Sequence, residues 1–220
     1  MNLGIDDAGR GPVIGPMILA GVLIEPKHEK ELTNLGVKDS KQLTQKRRVF
    51  LSEKIKEVAE DFAVVITKAT EIDSKSESGT NLNDLEAIKA AKIINKLNKG
   101  KEKIKLVIDC PSTGIVKWKD FLKTKIEDLS NLEVSCEHKA DKNHVSVAAA
   151  SILAKCAREE EMDKLRSEYG KEIGSGYTSD PMTIKFLAKF AEKYKDKGIF
   201  RKTWKTWKKA VEKLGQRTLS

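Results

Sequence analysis

From Val13 to Ile24 the chain is twelve residues of apolar side chains, glycine and proline, broken at Gly15-Pro16. A run this short does not span a bilayer. A run this continuous also leaves no wet face, so it reads as a strand buried on both sides. Leu3 to Asp7 reads as a strand before it, which puts the loop from Ala8 to Pro12 between two strands. Thr44 is an N-cap for a helix to about Phe62, with Val49, Phe50, Ile55, Val58 and Ala59 at helical spacing. Further strands are expected at Ala63 to Thr67, Ile104 to Asp109 and Leu132 to His138. Helices are expected at Leu85 to Leu97 behind an Asn83 cap, at Ile115 to Ile126 and at Val145 to Tyr169, and Ser74 to Thr80 reads as a polar loop. This alternation implies an α/β domain. After Gly174-Ser175-Gly176 only helices follow, at Pro181 to Tyr194 and Trp204 to Leu214. The expectation is a single domain over residues 1–220, helical from about 181 to 215 and ending in a flexible tail at 216–220.

At 220 residues the chain buries a sizeable core without staples. Its three cysteines, Cys110, Cys136 and Cys156, form no Cys-x-x-Cys and cannot all pair, which fits a reducing cytoplasmic setting and disfavours zinc. The N-terminus has no basic region of the kind that opens an export signal, so no membrane role is expected. Lys and Arg outnumber Asp and Glu by 42 to 33, a formal charge of +9. That excess suits a polyanion such as nucleic acid, and equally a lysine-rich solubilising surface.

Chemistry concentrates in the first eleven residues. Asp6 and Asp7 repel one another, and a fold that keeps both ionised gives them a cation, for which oxygen ligands favour Mg²⁺ or Mn²⁺. Gly9-Arg10-Gly11 follows at once, where glycines let backbone N–H groups approach a phosphate or sugar that the guanidinium also grips. Asp109 falls at a strand end and Asp141 follows His138-Lys139-Ala140, so topology allows four acids to converge at one end of a sheet. Four such carboxylates suffice for two metal ions roughly 4 Å apart, which activate water and stabilise the leaving oxygen of a displacement at phosphorus. Each residue also has a plainer reading. Asp-Asp pairs occur in solvated turns, Asp109 simply ends a strand, Asp141 caps a helix, and Tyr177 is a turn residue with a packed ring. His138 and His144 read as hydrogen-bonding rather than ligating, and at least one of Trp204 and Trp207 as core.

Gly4-Ile5-Asp6-Asp7-Ala8-Gly9-Arg10-Gly11 closely resembles the signature that opens type 2 ribonucleases H, in particular the archaeal ribonuclease HII group. In order, Val37-Lys38-Asp39-Ser40-Lys41 is similar to the family's Asp-Ser-Lys segment, Val107-Ile108-Asp109 to its central acidic strand and His138-Lys139-Ala140-Asp141 to its fourth-acid motif. Ala149 to Lys155 resembles the start of its long helix, and Gly174 to Pro181 and Arg201 to Thr206 match later segments. The likeness runs from residue 3 to about 206.

The resemblance implies a ribonuclease H-like α/β fold, with a central mixed sheet flanked by helices and a helical C-terminal part. It implies hydrolysis of the RNA strand of RNA–DNA hybrids and incision at single ribonucleotides in duplex DNA, leaving 3′-hydroxyl and 5′-phosphate ends, in the service of replication and repair. By the same carry-over Asp6, Asp7, Asp109 and Asp141 bind two Mg²⁺ or Mn²⁺ ions. Gly9, Arg10 and Gly11 read the 2′-hydroxyl beside the scissile phosphate, and Tyr177 packs on the following sugar, which suits the one group that separates RNA from DNA. Lys41 and Lys155 are backbone-phosphate candidates. A monomer is expected. The tail, with Gln216 and Leu219, resembles the first half of a clamp-binding peptide without its aromatic pair, which implies at most a weak sliding-clamp contact. The family has Glu where this chain has Asp7. Aspartate stops roughly 1.5 Å short, and a displacement near 1 Å costs about a hundredfold in rate. The alternative reading is therefore a catalytically impaired hybrid-binding protein.

Overall fold

The computed structural model describes residues 1–38 and 43–217, with side chains as far as Glu212. Two compact units emerge from chain packing. One comprises Met1–Ala8, Ile18–Val65 and Leu82–Ala157; the other comprises Gly9–Met17, Ile66–Asn81 and Arg158–Ser220.

A five-stranded sheet runs through the first unit: β1 (Asn2–Ala8), β2 (Met17–Ile24), β3 (Asp61–Thr67), β4 (Ile104–Asp109) and β5 (Leu132–Glu137), ordered β3-β2-β1-β4-β5. β1 is antiparallel to β2 but parallel to β4, and β4 is parallel to β5, so the sheet is mixed. All eight residues of β2 are buried. Around the sheet lie α1 (Pro26–Asn34), α2 (Gln45–Val58), α4 (Leu82–Leu97), α5 (Ile115–Lys123) and the first half of α6 (Val145–Tyr169); α3 (Ala69–Glu77) belongs to the second unit. Ile18, Ala20, Val22 and Ile24 share one face of β2 and pack with Leu32, Leu51, Ile55 and the alanine-rich stretch of α6. Gly21, on the other face, would drive a Cβ to within 2.3 Å of Ile93 of α4. Gly4 of β1 is where α6 docks: a Cβ there would stand 2.1 Å from the Ser146 carbonyl carbon, so only glycine admits the helix backbone.

The second unit adds α7 (Pro181–Phe190), whose N-cap Asp180 accepts the Met182 N–H, and α8 (Lys205–Arg217). Val13, Ile14, Ile173, Phe186, Phe200 and Trp207 form its core, with the Phe200 and Trp207 rings 4.5 Å apart. Trp207 is the core tryptophan of the pair, as expected. α8 takes in Gln216 and Arg217, while residues 218–220 lie outside the described residues.

Several local expectations need correction. The strand expected from Val13 begins only at Met17, because Gly15 takes φ +87° and Pro16 has no N–H to donate; Val13 and Ile14 instead enter the second unit's core. Val49 and Phe50 are exposed, and Leu51 and Ile55 form the buried stripe of α2, whose Thr44 cap is as expected. That helix ends at Val58, and β3 starts at Asp61. Asn83 sits inside the first turn of α4 instead of capping it, and its carbonyl accepts the Trp118 indole N–H at 2.9 Å. α1, with Leu32 alone buried, and α3, which covers half of the expected polar loop, lack a readable apolar period.

Candidate active site

Parallel pairing of β1, β4 and β5 brings their C-terminal ends to one edge of the sheet, and carboxylates mark all of them. Ile5 pairs with Ile108, so Asp6 and Asp7 follow on β1 where Asp109 ends β4, and Asp109 pairs with Glu137 at the end of β5. Past β5 the chain turns at Lys139, whose φ of 57° is the one positive value among the described non-glycine residues. This places a 3₁₀ turn, Ala140–Lys142, over the edge, with Asp141 buried in it. The Ala140 N–H donates to Asp109 Oδ1 at 3.0 Å, tying the third acid to the turn that carries the fourth.

Asp6 is buried, and its carboxyl is pushed well above its ordinary pKa, chiefly by loss of water, then by the Asp7 carboxylate and by Asp109. A hydrogen bond from Ser151 of α6 and the Asp7 N–H, which reaches Asp6 Oδ1 at 2.7 Å, oppose that shift. Lys155 Nζ in turn donates to Ser151 Oγ at 3.2 Å, one helical turn on. Ser151, fully buried, is a site residue that motif reading passed over; the signal was its place inside the matched helix segment. His138 Nδ1 meets the Cys110 carbonyl at 3.0 Å and His144 Nε2 meets Glu137 at 2.9 Å, so both histidines hydrogen-bond as expected.

Oxygen-only donors and mutual repulsion at Asp6 fit a hard divalent cation. The fit lies in chemistry rather than in a preformed cage: among the described residues no group of three or more His, Cys, Asp or Glu is arranged to hold a metal ion.

The second unit carries the glycine-rich loop. Gly9 has φ +80°, and a Cβ there would lie 2.5 Å from Arg158 Cδ. Gly11 is exposed, and a Cβ on it would come within 4.0 Å of the Tyr177 ring, so loop and tyrosine are neighbours. Tyr177 is 38% exposed and lies over the Arg158 guanidinium, 4.7 Å from its ring centroid. Asp180 fixes the turn before it by accepting the Ser175 N–H at 2.7 Å. Lys41 lies outside the described residues.

A family model for ribonuclease HII matches residues 3–207. The chain belongs to the ribonuclease HII family. Ribonuclease HII of Methanocaldococcus jannaschii is 44% identical over 99% of this chain and 97% of its own length. Among solved structures, ribonuclease H2 from Pyrococcus horikoshii matches with a TM-score of 0.85 and 37% identity, covering 96% of this chain and 97% of that one. Ribonuclease HII of Archaeoglobus fulgidus, solved in complex with PCNA, matches at 0.81 and 36%, covering 94% of each chain. The expected ribonuclease H-like fold is thus the observed one. As a ribonuclease HII, the chain is a metal-dependent endoribonuclease of RNA–DNA hybrids. Among its described residues no helix is long and apolar enough to cross a membrane.

Proposed function

We propose that residues 1–220 work as one catalytic domain that cuts the RNA strand of hybrids and also incises at single ribonucleotides in duplex DNA. The observation that carries this reading is the carboxylate edge, where buried Asp6 feels both Asp7 and Asp109, and Asp109 is bonded to the turn holding Asp141. Asp6, Asp7, Asp109 and Asp141 would hold two Mg²⁺ or Mn²⁺ ions. When bound, such ions supply an activated water and stabilise the leaving 3′-oxygen. Asp6 is kept oriented by Ser151, and the Ala140 N–H holds Asp109 Oδ1. Gly9, Arg10 and Gly11 would read the 2′-hydroxyl, and the exposed ring of Tyr177 would pack on a sugar. Lys155 and Lys41 would add phosphate contacts without sequence preference. The incomplete peptide at 216–220, and an Archaeoglobus relative solved with PCNA, support a weak contact with a sliding clamp. We take the protein to act as a monomer in the cytoplasm.

The test is cleavage of a 5′-labelled DNA duplex bearing one ribonucleotide, with Mg²⁺, Mn²⁺ or chelator, by this chain and by Asp7→Glu. Metal-dependent incision 5′ to the ribonucleotide is expected from both. Incision by Asp7→Glu alone would make this chain the impaired hybrid binder, and silence from both would reject the enzyme reading.

A further inference from the structure

Among the described residues two arginines are buried, Arg158 and Arg201, and both belong to the unit that carries the Gly9-Arg10-Gly11 loop. Arg201 is fully buried and spends its guanidinium on backbone. Nη2 donates to the Gly9 carbonyl at 2.6 Å, Nη1 to the Arg10 carbonyl at 2.7 Å and Nε to the Gly15 carbonyl at 3.1 Å. Its own segment is anchored on both sides. The Arg201 N–H reaches the Val13 carbonyl at 2.9 Å, and Trp204 lies against the guanidinium at 5.2 Å. Asp73 of α3 accepts the Lys202 N–H at 2.7 Å, the Thr203 N–H at 3.0 Å and the Thr203 hydroxyl at 2.7 Å.

The consequence follows from the planar trans peptide, in which C=O and the next N–H point in opposite directions. Holding the carbonyls of Gly9 and Arg10 turns the N–H groups of Arg10 and Gly11 away from Arg201. Those two are backbone donors of the loop itself, and their direction is preset before any ligand arrives. Arg158 braces the same loop from another side. It packs where a Gly9 side chain would be, donates Nη2 to the Ser175 carbonyl at 2.8 Å and backs the Tyr177 ring, while its Nε is buried with no hydrogen-bond partner. A site that separates RNA from DNA by one hydroxyl needs donors fixed in direction, because reorganisation at the moment of binding erodes discrimination.

We propose that Arg201 is a positioning residue for ribonucleotide recognition: it aims the Arg10 and Gly11 N–H groups, while Arg158 sets Tyr177 against the same loop. This rests on the reading of Gly9-Arg10-Gly11 and Tyr177 given above. The experiment measures kcat and KM on a duplex with one ribonucleotide, and the inhibition constant of an all-DNA duplex as competitor, at a temperature where circular dichroism shows each variant fully folded. Arg201→Lys keeps the charge and loses the fork. It is expected to lower kcat about tenfold while the DNA inhibition constant stays within about twofold of wild type. Arg158→Lys is expected to give the same pattern at about threefold, and it carries the test should Arg201→Lys not fold. A folded variant with wild-type kcat, or one that loses cleavage and DNA binding in proportion, overturns the proposal. Arg10→Ala and Tyr177→Ala separate the two layers. If these keep wild-type kcat/KM, the recognition reading itself fails; if they lose it while Arg201→Lys does not, only the positioning role falls.

Discussion

The acidic edge and the glycine-rich loop are built by opposite means. The acids ride on regular structure: β1, β4 and β5 are parallel neighbours, so Asp6 and Asp109 arrive at one edge by topology, and the turn at Lys139 just past β5 adds Asp141. The loop belongs to no strand or helix. Its shape comes from side chains far along the sequence, Arg201 bonding carbonyls 191 and 192 residues away and Arg158 filling the space beside Gly9. A sheet edge holds charge where repulsion would otherwise drive it apart, whereas a loop cradled by buried guanidiniums has its peptide planes set by side chains instead of by a backbone ladder.

The sharpest break in this comparison is Asp109→Asn, which removes a carboxylate without touching the sheet. Cleavage is expected to fall about a thousandfold, with hybrid binding in chelator retained; wild-type turnover would remove Asp109 from the site. Next, Arg10→Ala is expected to weaken cleavage at a ribonucleotide roughly tenfold more than it weakens binding to plain duplex, measured by paired kinetics and titration. Equal losses would reduce Arg10 to a phosphate contact. Asp7→Glu, which supplies the longer acid that the resemblance of the opening motif implies, is expected to raise turnover by about tenfold, and an unchanged rate would mean that the backbone already compensates for the missing methylene.

The smallest effect concerns the turn before Tyr177. Asp180 is held below its ordinary pKa of 3.8, first by the Ser175 N–H. A carboxyl depressed on folding stabilises the native state above its unfolded value, and that contribution disappears as pH falls through the lowered folded value. Asp180→Asn, which keeps an N-cap acceptor but cannot ionise, is expected to flatten the acid limb of thermal stability; a wild-type acid limb in the variant would remove Asp180 as its source.

How much of this was legible in the sequence differs by region for the same physical reason. Apolar runs with short periods show themselves, so β1, β4, β5 and α6 were placed within a residue or two and the acids fell at the ends of readable strands. α1 and α3 bury only one to three residues each, and their helicity owes little to a pattern that periodicity can detect. Gly15-Pro16 looks like a blemish in a long strand and is the point after which the chain, coming from the core that holds Val13 and Ile14, enters β2.

By itself the sequence determined the α/β class and the family and nominated the four acids, because these readings depend on local spacing and ordered motifs. Only the tertiary structure decided that Ser151 bonds Asp6, that Asp109 is tied to the Asp141 turn and that Arg201 holds the carbonyls of Gly9 and Arg10. Those bonds join residues up to 192 apart, and no local period encodes a partner at that distance.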